Sequence, residues 1–302
     1  MPSSFFSFPR RLSAAPAAGR RRALALLLPL LLGGSLAQAQ TELIGLAKIQ
    51  ASGTLKVAVY KDNAPFSSGP VSAMKGLDVD IATALAKQMQ LKLALLPFDA
   101  GENMNDDLRN MVWRGHYLGY GPANVMLHVP VDKYLINENR QALIFAPYMR
   151  QVYVLLHDTQ ALAQVSSPDD LKGVKLAAER GTGSAGVLMG HHGGELVSQV
   201  NLYGSGVEAA QAVLDGKAVA AYVTRAQAES ALAQLKPGTA LHWALSPLAL
   251  QGLPSNGWPL GMAIKADSKD LGQALEKALQ ALRDSGELLA IFKSHGMTLT
   301  AP

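Results

Sequence analysis

The sequence predicts an α/β protein made of two units, each a mainly parallel sheet flanked by helices. Three observations carry that expectation. Strand, turn and helix patterns alternate along most of the chain, and such alternation builds parallel sheets covered by helices. The alternation breaks and restarts after Tyr148. The length left after a predicted leader suits two ordinary units joined by short crossings better than one large sheet.

The leader comes first. Arg10, Arg11, Arg20, Arg21 and Arg22 make a basic start, and Ala23 to Leu32 is a short apolar run. Ala37-Gln38-Ala39 is the small-x-small pattern of a secretion signal cleaved after Ala39. The apolar run is about half the roughly 20 residues that a spanning helix needs, so export to the periplasm is expected over anchoring. Of the 302 residues, 263 would remain. The whole chain carries 27 basic and 23 acidic side chains, a net charge of +4. Without the leader the balance is 22 to 23, a net charge of −1. The basic character therefore belongs to the leader and leaves no electrostatic footprint for nucleic acid. An apolar fraction of 49% supplies a sizeable core, and the absence of cysteine excludes disulfides, thiolate metal sites and thiol nucleophiles.

Leu55 to Tyr60 is the first predicted strand, and Lys61 to Lys75 a Gly/Pro/Ser-rich loop. Asp78 to Met89 is a helix, with acids in its first turn and Ile81, Leu85 and Met89 on one face. Leu91 to Leu95 and Val125 to Leu127 are further strands. After Tyr148 come a β-rich run, Val152 to Leu156, and a strand, Val174 to Ala178, leading into Gly181-Thr182-Gly183-Ser184 and a short helix. Val207 to Leu214 is helical by spacing, Val219 to Val223 a strand, Arg225 to Leu235 a helix, and Lys236 to Asn256 a loop. Gly261 to Lys265 is the last strand. Two helices follow, Asp270 to Ser285 and Gly286 to His295, the first with a core stripe of Leu271, Leu275, Leu279 and Leu282.

Several patterns suggest chemistry. Gly181-Thr182-Gly183-Ser184-Ala185-Gly186 fits G-x-G-x-x-G after a strand, but no acid follows near Asn201 to hold a ribose, so a dinucleotide site is rejected. A glycine-rich turn is the plain alternative. The preferred reading is a helix start whose free N–H groups, with the Thr182 hydroxyl, hold an anionic ligand group. His191-His192-Gly193-Gly194-Glu195 lacks the spacing of H-x-x-x-H, and adjacent histidines on a regular element point apart, so a surface loop and no metal are expected. The remaining histidines are scattered, and Ser184 lies in no G-x-S-x-G elbow.

Gly76-Leu77-Asp78-Val79-Asp80-Ile81-Ala82-Thr83-Ala84-Leu85-Ala86-Lys87-Gln88-Met89 is physically a turn glycine, an acidic helix start and an amphipathic helix. In order and spacing it resembles the signature of the family 3 bacterial solute-binding proteins, the periplasmic receptors of polar amino-acid ABC transporters and their relatives. Ala64-Pro65-Phe66 resembles that family's pocket loop, and Phe145-Ala146-Pro147-Tyr148 its crossing into the second lobe. Leu171-Lys172-Gly173-Val174 with Gly181-Thr182, then Gly216-Lys217-Ala218-Val219-Ala220, then Gly261-Met262-Ala263-Ile264-Lys265, follow in the family's order.

The resemblance implies the two-lobed, type II periplasmic-binding-protein fold. Lobe 1 would combine residues 40–148 with 257–302, and lobe 2 would take 149–256. It implies a monomeric binder without cofactor or catalysis, which closes on a small polar or anionic solute and docks on an ABC transporter permease. Tyr60, Asp62 and Phe66 from the first loop, His128 and Asp132 from the second, and Thr182 and Thr224 from lobe 2 would face one cleft. Phe66 would stack on the ligand, Thr182 would donate to an anion, and Asp62 or Asp132 would take a cation.

Two departures stand out. The family's Thr-x-x-Arg carboxylate clamp is absent, leaving Arg140, displaced by several residues, as the candidate for that job. Thr224 falls where the family has an ammonium-binding Asp, and a hydroxyl cannot balance a desolvated cation. A standard α-amino acid is therefore disfavoured. Val129-Pro130 resembles a subgroup encoded beside periplasmic quinoprotein alcohol dehydrogenases, which gives an alternative: an accessory protein of such an enzyme.

Overall fold

The computed structural model describes residues 45–302, so the predicted secretion signal lies outside the described residues. The first sheet begins after helix α1 (Gly45–Ser52) with β1 (Thr54–Tyr60). Then come α2 (Leu77–Gln88), β2 (Lys92–Phe98), α3 (Met104–Leu108) running on as a π-turn over Arg109–Trp113, β3 (Val125–Pro130), α4 (Lys133–Glu138) and β4 (Ala142–Gln151). The second sheet takes β5 (Tyr153–Asp158), β6 (Leu176–Glu179), α5 (Gly183–Gly190), β7 (Val200–Tyr203), α6 (Gly206–Leu214), β8 (Ala220–Thr224), α7 (Arg225–Leu232) and β9 (Trp243–Ser246). The chain then returns to the first sheet with β10 (Trp258–Lys265) and closes on α8 (Lys269–Asp284) and α9 (Glu287–Ser294).

The strand orders are β2-β1-β3-β10-β4 and β7-β6-β8-β5-β9. In each sheet three neighbours pair in parallel, and one strand, β10 or β5, runs against both of its neighbours. These two are the strands that arrive from the other sheet. Where a chain enters a sheet at the end carrying its carboxyl termini, it has to run backwards. The reversed pair thus marks the edge at which the two sheets face each other.

Packing follows the period-two rule for strands. Leu55, Val57 and Val59 of β1 turn toward α2, α8 and α9, while Ala58 turns the other way to meet Phe98, Met111 and Met126. The expected α8 stripe is buried at Leu271, Leu275, Leu279 and Leu282. In the second sheet Val154, Leu156, Ala221 and Val223 meet α6 and α7, and Leu155, Leu176, Ala220 and Tyr222 face α5.

Two local expectations change. Lys236 to Asn256 is not all loop, because Trp243–Ser246 pairs with β5 as an edge strand. The Phe145–Tyr148 stretch lies inside β4, with a bulge opposite Gly261, and the chain passes to the second sheet only at Val152. The returning passage runs alongside it, with Trp258 paired to Gln151. Gly257, at φ +63°, sits so close to the Gln151 carbonyl that a Cβ there would overlap it. Gly76 (φ +134°) is similarly constrained: a Cβ would collide with the Phe66 carbonyl, which accepts from the Asp78 N–H at 2.8 Å. That contact folds the 61–75 loop down over the start of α2.

Candidate functional site

The strand ends that face each other leave a cleft of about 440 Å³. The first sheet contributes Tyr60 at the end of β1, the following Lys61, Asp62 and Asn63, Asp99 and Ala100 after β2, Met104 of α3, and His128 and Pro130 of β3. Gln151, Trp258 and Leu260 line the waist, and Glu179 at the end of β6 reaches in from the second sheet. The volume suits a small ligand.

The floor on the first sheet is built from buried polar groups. Asp78, in the first turn of α2 where the helix dipole favours a negative charge, is only 1% exposed. Its Oδ1 accepts from the Tyr148 hydroxyl at 2.8 Å, and its Oδ2 sits 2.9 Å from His128 Nδ1. The Tyr148 oxygen in turn accepts from the His128 backbone N–H at 3.0 Å. His128 adopts a left-handed backbone (φ +63°), which aims that N–H back at the tyrosine. A carboxylate at Nδ1 selects the Nδ1–H tautomer of the neutral ring and leaves Nε2 as the acceptor. Burial and the neighbouring Asp78 charge push the Tyr148 hydroxyl well above its ordinary pKa, so it remains a donor.

Tyr60 is fixed in the same way. Its hydroxyl donates to Asp107 Oδ2 at 2.7 Å, while Asp107 Oδ1 accepts from the Gly101 N–H at 2.7 Å. Burial raises both groups, more strongly the tyrosine, which also feels the Asp107 charge. Its ring leans on Phe98 at 4.7 Å.

The second sheet supplies one carboxylate on a simpler mount. Gln227 Nε2 donates to Glu179 at 2.8 Å, and Gln227 is itself held by a capping box with Thr224 at the start of α7. Burial pushes the Glu179 carboxyl above the usual range, opposed by the Gln227 and Gly206 hydrogen bonds.

Of the residues singled out from sequence, Tyr60, Asp62 and His128 line this cleft. The others do different work. Phe66 is 1% exposed and packs in the core with its ring 4.3 Å from that of His128, so it supports the floor instead of stacking on a ligand. The loop contact at Gly76 is what drives it inward. Asp132 caps α4, accepting from the Tyr134 and Leu135 N–H groups at 2.8 and 3.0 Å. Arg140 is exposed just before β4. Since β4 runs in the same direction as β3, its start lies at the end of the sheet opposite the cleft. Thr182 caps α5 and donates to the Glu179 carbonyl at 2.8 Å, and buried Thr224 caps α7. Neither hydroxyl is among the lining groups; both brace the segment that carries Glu179.

Sequence reasoning missed Asp78, Tyr148, Glu179 and Trp258. The first two stood inside recognised motifs, but nothing local says that they meet across 70 residues. Glu179 and Trp258 carried no signal beyond their places at the end of β6 and the start of β10.

The lining has a definite electrical character. Asp62, Asp99 and Glu179 bring three carboxyl groups, against Lys61, which pairs with Asp99 at 3.5 Å on exposed side chains. The aromatic rings of Tyr60, His128 and Trp258 complete it, and no arginine is present in the lining. Among the described residues no helix is long and apolar enough to cross a membrane.

No family model matches the chain, and no curated protein matches it by sequence. Solved structures do. An ancestral cationic amino acid solute-binding protein superposes with a TM-score of 0.61 at 21% identity, over 82% of this chain and 97% of that one. An amino acid ABC transporter substrate-binding protein from Streptococcus pneumoniae, bound to L-arginine, gives 0.57 at 20% identity over 84% and 98%. The second substrate-binding domain of Lactococcus lactis GlnP, in its open conformation, gives 0.55 at 20% identity over 80% and 95%. The chain has the two-lobed fold of these solute-binding proteins, two mixed sheets flanked by helices with a cleft between them.

Proposed function

We propose that the protein is a binder, not a catalyst, which closes two lobes on a small organic cation lacking a carboxylate and passes it to the permease of an ABC transporter in the periplasm. The lobes would be residues 45–151 with 257–302, and residues 152–256, so the boundary falls after β4 and not at Tyr148, and they would turn about the paired passages at Val152 and Gly257. The observation that carries the reading is the lining: three carboxyl groups and three aromatic rings around a cleft with one lysine. Rings and carboxylates hold ammonium and guanidinium groups through cation–π and charge-assisted contacts. A ligand carboxylate would find no arginine there and would face like charge. The neighbour bound to L-arginine holds a ligand of the same positive character, and decarboxylation would suit such a ligand to this cleft. Closure would follow from differential affinity, since a ligand bridging Glu179 and the first sheet makes both contacts only when the lobes meet.

A thermal-shift series with agmatine, putrescine and choline set against glycine, glutamate, glutamine, lysine and succinate tests this. At 100 times its Kd a ligand adds about 2.7 kcal/mol, an easily read shift. Amines are expected to stabilise and to compact the protein in solution scattering. Stabilisation by succinate or glutamate without any by the amines overturns the proposal. If no solute compacts the protein and a dehydrogenase co-purifies with it from periplasmic extract, the accessory role replaces it.

A further inference from the structure

The charges that line the cleft do not form one negative patch. Lys61 lies 3.5 Å from Asp99 on exposed side chains, so these two charges largely cancel. That leaves two lining carboxyl groups with no basic partner among the described residues. Asp62 stands exposed on the loop after β1, and Glu179 stands half-buried at the end of β6. They belong to different sheets, one on each side of the cleft. Much of the remaining lining is apolar or aromatic, from Tyr60, Met104, Pro130, Trp258 and Leu260. Surface of this kind covers an alkyl chain, not a further charge.

The two separated carboxylates set the charge of the ligand. A carboxylate facing a cation contributes little while water screens the pair. Closure removes that water, and a charge taken out of water without a partner is costly. A single ammonium neutralises one carboxylate and leaves the other to be desolvated alone. Two cationic groups on one chain neutralise both, and one molecule makes both contacts only when the lobes meet. Burial already holds the Glu179 carboxyl above its usual range, so its charge gains most from a partner.

Resting on the reading of the cleft as a site for organic cations, we infer that the ligand is a linear dication, an α,ω-diamine or a guanidinoalkylamine. One charged end sits on Asp62 of the first lobe and the other on Glu179 of the second, with the alkyl middle against the Tyr60 and Trp258 rings. Because both ends are pinned, the length of the spacer becomes a determinant of affinity and of closure.

Calorimetric titration at neutral pH tests this with putrescine, cadaverine and 1,6-diaminohexane, each set against the monoamine of the same chain length. Diamines are expected to bind about tenfold or more tighter than their matched monoamines, because both carboxylates are then paired on closure. One spacer length should be best, and only the diamines should compact the protein in solution scattering. Asp62→Asn and Glu179→Gln should each remove most of the preference for diamines. Asp62→Glu should keep it and move the optimum to a shorter spacer, which a merely structural role would not do. Melting temperatures of the variants separate lost binding from lost folding. Monoamines that bind and compact the protein as well as diamines overturn the dication inference and leave the cation site standing. Affinity that climbs steadily with spacer length, equally in wild type and Asp62→Asn, also overturns it, since that reports apolar contact alone. If neither class binds, the cation site and the dication fall together.

Discussion

The two sides of the cleft are held in different ways. On the first sheet, Asp78, His128 and Tyr148 form a closed network drawn from α2, β3 and β4, in which every member is buried and hydrogen-bonded. On the second, Glu179 stands half-buried at a strand end, braced by one glutamine whose own anchor is a helix cap. Buried networks are rigid because each missing partner leaves a desolvated polar group behind, whereas a capped side chain gives way cheaply. The first sheet thus presents a fixed face, and the second an adjustable arm.

Four substitutions would break or sharpen that contrast. Asp78→Ala is expected to have the largest effect, a loss of about 3–5 kcal/mol in urea denaturation, because it strands His128 and Tyr148 in the core. If the loss stayed below about 1 kcal/mol, the network would not be the rigid element described. Gln227→Leu should cost about 2 kcal/mol, since it unpairs the Thr224 N–H and one side of Glu179 together. Thr224→Ala removes only the cap and should cost about 1 kcal/mol. Weaker binding of a cationic ligand by that variant, with little loss of stability, would instead return Thr224 to the cleft.

The smallest effect should come from Glu179→Gln, and its sign is the informative part. Burial holds the Glu179 carboxyl above its usual range, so the folded state takes up a proton more readily than the unfolded one. Its contribution to stability is present at low pH and is lost as pH rises through the raised value. At neutral pH the glutamine variant should therefore be slightly more stable than the wild type, and the gain should vanish in acid. Affinity for an organic cation should fall at the same time. A variant less stable at neutral pH would show that the carboxylate is structural.

Periodicity made most of the fold legible. The α8 stripe, the α2 helix and the strands β1, β6 and β8 were readable because each buries a face whose spacing the sequence records. The short edge strands β7 and β9 were not, since an edge strand of four half-buried residues carries almost no pattern. The site was legible only in part. Tyr60, Asp62 and His128 lie at or near the carboxyl ends of β1 and β3, which sequence can place. Phe66 looked like a ligand contact because Ala64-Pro65-Phe66 resembles the family's pocket loop, yet the glycine at position 76 lets that loop drop and seals the ring inside. Arg140 was misplaced for a topological reason: the six-residue α4 returns the chain to the wrong end of the sheet.

The paired passages at the waist have a mechanical consequence. One residue, Val152, separates β4 from β5, and the returning chain lies against it with Trp258 opposite Gln151 and Gly257 pressed to the Gln151 carbonyl. Two strands joined side by side behave like a leaf spring. They resist stretching and sliding along their length, because either movement breaks the pairing, but they bend and twist through a few torsion angles. In the proposed closure this pairing would hold the halves to rotation about a line through residues 151–152 and 257–258. Any closing stroke must sweep Glu179 along an arc toward Tyr60 and His128, and it cannot shift the two faces out of register.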